Sequence, residues 1–190
     1  LSSNTVYPVG FKSMGENDLN YSLFSKYFNV GWMKIFSEKI CEMYKDKIKI
    51  IIVRPSNLFG PYDKFDPLRS KVIPALIRKF ETKKIVEVWG SGKDVKDFLY
   101  IDDFVRNLLL VIEKINKFTI INISSSNSVS LAQIIDILKK IYKKKNRKII
   151  LNKNKPSMIP FRKISNKKIK KLINFKIRFS LEMGIKETIK

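Results

Sequence analysis

The stretch that most constrains this chain lies between Lys47 and Arg54. From Ile48 it reads Ile-Lys-Ile-Ile-Ile-Val-Arg, a nearly continuous β-branched run. A strand of that kind is buried on both faces, as in a parallel sheet covered by helices on each side. The flanking segments supply the helices. Met33, Phe36, Ile40 and Met43 recur at spacings of three and four, which predicts a helix from Val30 to Tyr44 with those residues as its core face. Pro55 ends the strand and Gly60-Pro61 marks a turn. A helix is expected over Val72 to Phe80, a short strand over Val86 to Trp89 and another over Phe98 to Ile101. Asp102 is placed to cap a helix running to Glu113, and Ile120 to Ile123 reads as a strand. Ser130 and Gln133 have capping-box spacing ahead of a helix to about Lys144. Residues 9–28 are irregular, and the last forty or so carry only short signals. The alternation predicts an α/β fold.

Composition narrows the function. No apolar run reaches the roughly 18 residues a bilayer crossing needs. No basic region precedes an apolar one at the start, and the first residue is Leu1, so the sequence is expected to be a fragment or a processed chain. Cys41 is the only cysteine, which precludes an intrachain disulfide and fits a cytoplasmic location. The net charge of +22 raises nucleic-acid binding, but the excess is mostly lysine dispersed among isoleucine and asparagine. Those three residues share adenine/thymine-rich codons, whereas a nucleic-acid surface favours arginine interleaved with aromatics. The densest run, Lys139 to Lys148, reads as a solvated helix end. A charge of this size does favour an anionic ligand such as a nucleotide diphosphate.

Six local patterns follow one another in order. They are Ser2-Ser3-Asn4-Thr5-Val6-Tyr7-Pro8, then Gly31-Trp32-Met33-Lys34, then Arg54-Pro55-Ser56-Asn57-Leu58-Phe59-Gly60-Pro61. Next come Ser70-Lys71-Val72-Ile73-Pro74-Ala75-Leu76-Ile77-Arg78 and Val88-Trp89-Gly90-Ser91-Gly92, the latter followed by Lys96-Asp97-Phe98 and Ile101-Asp102-Asp103; Lys155-Pro156 closes the series. Together they resemble the NAD-dependent epimerase/dehydratase family of extended short-chain dehydrogenases, within it the GDP-L-fucose synthase branch. The resemblance implies a partial Rossmann-type parallel sheet, of which only the C-terminal strands are present, with a smaller α/β substrate-binding domain. Residues 1–61 and 98–126 would be the remainder of the dinucleotide-binding domain. Residues 62–97 and 127–190 would bind the nucleotide sugar.

The same resemblance implies hydride transfer between a nicotinamide and a nucleotide-linked hexose, helped by a serine, a tyrosine and a lysine. Ser3 takes the serine role and Lys34 the lysine role, including the grip on the cofactor ribose. The tyrosine position, one turn before Lys34, is Val30; Tyr27, the nearest phenol in sequence, and a water held by Ser3 are the candidate proton donors, and Asn29 is placed to cap the helix after Tyr27, which favours the water. The acid/base pair of that branch, a cysteine and a histidine, falls on Thr5 and Lys71. Pro55 and Ser56 would lie near the nicotinamide. Asn57, Arg78, Lys79, Trp89, Lys96 and Lys155 would hold the nucleotide sugar. The phosphate-binding Gly-x-x-Gly-x-x-Gly loop is absent from the sequence, so NAD or NADP is expected to bind the intact parent and not this chain alone. The parent is expected to be a homodimer. A 4-epimerase or dehydratase on the same scaffold, or a non-catalytic nucleotide-sugar-binding relative, are the alternative readings.

Overall fold

The computed structural model describes residues 1–10, 12–155 and 159–190. Its nine strands and six α-helices, among the described residues, run β1 Ser13–Met14, α1 Phe28–Met43, β2 Ile51–Pro55, β3 Asn57–Phe59, α2 Val72–Thr82, β4 Ile85–Trp89, β5 Val95–Tyr100 and α3 Ile101–Lys114. After these come β6 Thr119–Ile123, β7 Ser128–Ser130, α4 Leu131–Ile141, β8 Lys148–Asn152, β9 Phe161–Ile164, α5 Lys167–Leu172 and α6 Leu181–Ile189. The pairing is parallel, as the β-branched run predicts: β2 with β6, β4 with β8, and β1-β9-β5-β3 in that order. Only β7 runs antiparallel, against β5. The protein is α/β with a Rossmann-type parallel sheet.

One apolar core lies between α2, α4, α6 and the strands β4 and β5. A second packs α3 and α5 on β2 and β6. Ser130 and Gln133 form the expected reciprocal capping box at the start of α4. α3 begins two residues earlier than expected, so Asp102 lies in its first turn and Tyr100 is the cap. The neighbouring Asp103 is the buried acid, accepting the backbone N–H groups of Arg178 and Phe179.

The expected core face of α1 is reversed. Met33, Phe36 and Met43 are 56%, 67% and 78% exposed, and Ile40 is exposed as well. The residues that face inward are Gly31, Ile35 and Glu38. A polar anchor decides the orientation. The Glu38 carboxylate takes the Arg54 guanidinium of β2 through Nε at 2.9 Å and Nη2 at 2.5 Å, and also accepts the Ser2 hydroxyl. Gly31 supplies close approach, because a Cβ there would meet the Thr5 carbonyl at 3.0 Å and the Leu23 side chain at 2.7 Å. The helix also starts at Phe28 with Tyr27 as its cap, so Asn29 lies within it and does not cap it.

Candidate functional site

Parallel strands deliver their C-terminal ends to one side of a sheet, and ligands bind there. In this chain a cavity of about 520 Å³ opens at the C-terminal end of β2, reaching the starts of β5 and β9. Its walls come from the N-terminal loop, the turn after β2, the start of α2, and β5 with β9. The loop contributes Ser3, Asn4 and Thr5. Ser3 caps a short 3-10 turn, its hydroxyl accepting the Thr5 N–H at 3.2 Å. Asn4 is buried and donates to the Pro55 carbonyl at 2.9 Å, tying that loop to the end of β2. The Thr5 hydroxyl is buried on the cavity wall with no partner among the described residues.

Pro55, Ser56 and Asn57 line the cavity, with the Asn57 amide donating to the Asp97 carbonyl at 2.8 Å. Lys71, just ahead of α2, reaches the same space. So does Tyr27, whose side chain enters from the turn before α1 and whose phenol burial holds above the ordinary value. Val30 is exposed and does not line the cavity. Lys34, one turn further, donates to the Leu1 carbonyl at 3.1 Å.

Two basic side chains stand on the β5–β9 wall. Lys96 and Arg162 are register partners on adjacent parallel strands, and both are buried. Burial lowers the Lys96 ammonium below its usual value, against the pull of Asp94, and pushes Arg162 down to about 10. No motif flagged Arg162. Its signal is a strand pairing between distant segments, which local sequence does not display. Beside Lys96, the Asp97 carboxyl is fully buried and raised by that burial, although it accepts the Ser125 N–H and hydroxyl.

The other basic residues gather elsewhere. Lys79 and Lys155 lie over the half-exposed Trp89 ring, 6.0 and 5.7 Å from its centroid, and Lys79 also donates to the Glu87 carbonyl. Arg78, half-buried, has an Nε without a partner among the described residues. Neither Trp89 nor these three cations line the cavity that holds Lys96. The Pro156 half of the Lys155-Pro156 motif lies outside the described residues.

A parallel α/β sheet with a largely apolar cavity that carries Lys71, Lys96 and Arg162 on its walls defines the broad class, a Rossmann-type ligand-binding protein. Comparison with known proteins is more specific. Residues 1–124 match the model of the NAD dependent epimerase/dehydratase family, and the chain belongs to that family. A GDP-L-fucose synthase of Sinorhizobium fredii is 32% identical over 159 residues, covering 80% of this chain and 50% of that protein. A dTDP-4-dehydro-6-deoxy-D-allose reductase of Streptomyces bikiniensis is 25% identical, covering 99% of this chain and 58% of that one. Among solved structures, a GDP-6-OMe-4-keto-L-xylo-heptose reductase from C. jejuni superposes with a TM-score of 0.88 at 24% identity, over 98% of this chain and 67% of that one. This chain spans about half the length of the curated relatives it matches.

Proposed function

We propose that this chain is the nucleotide-sugar-binding part of an NAD(P)-dependent reductase or epimerase acting on a nucleoside-diphosphate hexose, of the GDP-L-fucose synthase kind. The observation that carries the reading is the cavity itself. It places Ser3, Thr5, Asn57 and a phenol at the C-terminal end of β2, beside two cations, Lys96 and Arg162, near the starts of β5 and β9. Ser3 and the unpartnered Thr5 hydroxyl are fitted to bond a sugar oxygen. Lys96 supplies charge for the diphosphate, and Trp89 with its two lysines offers a stacking surface for the base. The division at residues 61, 97 and 126 into a cofactor part and a sugar part belongs to this reading, as does a cytoplasmic location. Among the described residues no helix is long and apolar enough to cross a membrane, and no cluster of metal-ligating side chains occurs.

The nicotinamide, when bound, supplies the hydride. Lys34, Pro55 and Ser56 are the residues of this chain that would hold its ribose and ring. They fit only that end, since the sequence has no glycine-rich loop for the pyrophosphate. With Val30 in the tyrosine position, the proton comes from Tyr27. Its phenol stands on the cavity wall and stays protonated at neutral pH. Thr5 and Lys71 both line the cavity, but threonine is a weak acid and base, so epimerisation at two carbons is not assigned to them. The exposed apolar stripe of α1, Met33, Phe36, Ile40 and Met43, is assigned to a homodimer contact. Val30 also favours a second reading, a nucleotide-sugar binder without turnover.

Calorimetric titration of the chain with GDP-mannose and UDP-glucose tests the first step. Saturable binding weakened by about 1–3 kcal/mol in Lys96→Ala supports the reading, as expected for a lost charge-assisted bond. No binding to either ligand overturns it. Turnover in a full-length protein, abolished by Tyr27→Phe, separates the enzyme from the binder.

A further inference from the structure

Away from the cavity, three segments distant in sequence meet at one corner of the fold. Lys83 and Lys84 follow α2, Lys143 to Lys145 form a 3-10 turn after α4, and Lys148 opens β8. The Lys148 N–H donates to the Lys84 carbonyl at 3.1 Å, and Lys145 pairs with Glu81. That pair occupies the nearby carboxylate. No acid pairs with Lys83, Lys84, Lys143, Lys144 or Lys148 among the described residues, and all of these lysines are exposed. A solvated helix end does not account for them. Cations at a helix end serve its free carbonyls. At the end of α2 Arg147 already takes those, donating from Nε to Phe80 at 2.8 Å and from Nη2 to Glu81 at 3.1 Å. The lysines are left as an electropositive surface.

The β4–β8 pair gives that surface an apolar part. Val86 and Val88 face the core. Register partners on paired strands share a face, and alternate residues of a strand share one too. Ile85 is the partner of Lys148, and Ile150 is the partner of Glu87, so Ile85, Lys148 and Ile150 lie together on the outer face. Ile85 is 53% exposed and Ile150 42%. Exposed aliphatic side chains beside lysine suit the surface of an anionic bilayer, where the aliphatics enter the headgroup layer and the ammonium groups meet lipid phosphates. Nucleic acid is instead read and stacked by arginine and aromatics. Here Arg147 is turned onto helix carbonyls and Tyr142 is buried.

We propose that this corner docks the protein on an anionic lipid surface, peripherally, with Ile85 and Ile150 among the headgroups and the surrounding lysines on the phosphates. Sedimentation of the chain with vesicles tests it, using phosphatidylcholine alone and an equal mixture of phosphatidylcholine and phosphatidylglycerol. The expected result is binding to the mixture only, weakened by added salt. The triple replacement Lys83→Glu, Lys84→Glu and Lys148→Glu should lower it by about tenfold or more, since each lysine near such a surface contributes about fivefold. Lys45→Glu, Lys117→Glu and Lys171→Glu together change the net charge equally and should retain most of the binding. Ile85→Ser with Ile150→Ser should weaken it severalfold. Circular dichroism checks folding; if the glutamate variant does not fold, the same three lysines replaced by glutamine should give a smaller loss in the same direction. No binding to the mixed vesicles overturns the proposal. Equal losses in the two charge-reversed variants also overturn it, since dispersed charge would then suffice. A DNA duplex bound as tightly as the vesicles, with the isoleucine replacements without effect on either, overturns the lipid assignment in favour of nucleic acid.

Discussion

Replacing Glu38 by alanine tests the claim that an ion pair, and not an apolar face, seats α1. In the native chain the carboxylate holds Arg54 through two nitrogens and accepts the Ser2 hydroxyl, with all three residues buried. After Glu38→Ala the guanidinium keeps the Tyr7 phenol at 3.1 Å and the Glu16 carbonyl at 2.9 Å, but no anion touches it. Removing one partner of a buried pair costs about 3–5 kcal/mol, because the other charge stays buried. For a domain of this size each kcal/mol lowers the midpoint by about 2–4 °C, so the expected drop is about 6–20 °C. Thermal and urea unfolding followed by circular dichroism reads both quantities. The double replacement Glu38→Met with Arg54→Met removes both charges and should recover most of the loss. A single-variant cost below about 1 kcal/mol, the range of an exposed pair, would refute the reasoning.

Four further outcomes follow from the same structure. The chain alone should not saturate with NADPH in a fluorescence titration, for want of a glycine-rich loop; micromolar saturation would contradict this. In a Trp32→Phe background Trp89 is the only indole, so binding of a nucleotide sugar should quench its fluorescence, and Trp89→Leu should weaken binding by about 1–3 kcal/mol. Phe36→Glu should shift the chain toward monomer in sedimentation, and a wild type already monomeric at high concentration would remove the basis of the dimer contact. The Asp97 carboxyl is raised by burial, so it binds its proton more tightly folded than unfolded. Its contribution to stability is full below about pH 3.9 and is lost as pH rises through the raised folded value. The stability difference between wild type and Asp97→Asn should therefore fall with rising pH; a rising difference would show that the carboxylate is favoured by its surroundings.

The parallel sheet was legible because its signal is local. Ile51, Ile52 and Val53 sit in β2, and a β-branched run without alternation has few other homes. The capping box of α4 was legible for the same reason, since Ser130 and Gln133 need only each other. The direction of α1 was not. Spacings of three and four reveal an apolar stripe but do not say what covers it. The choice between that stripe and the Glu38 face was made by Arg54, which is distant in sequence and arrives only through the fold. β3 was also missed. It is three residues long and follows Pro55 with a single residue between, so only its pairing with β5 distinguishes it from a turn.

The site divides along the same line. Ser3, Thr5, Asn57, Lys71 and Lys96 were placed by motif order, and one cavity gathers them. Arg162 needed the β5–β9 register, and Tyr27 needed the true start of α1. The second case bears on chemistry. A helix that began at Val30 would leave Tyr27 in a free loop and favour a water as proton source. Because Tyr27 is instead the cap of a helix anchored through Glu38, its backbone is fixed and its ring is held on the cavity wall. Glu38 of the buried ion pair and Tyr27, the one phenol lining the cavity among the described residues, thus belong to one helix and its cap. Val30 is exposed, so a phenol reaches the pocket from Tyr27, three residues earlier, at the cap of the helix.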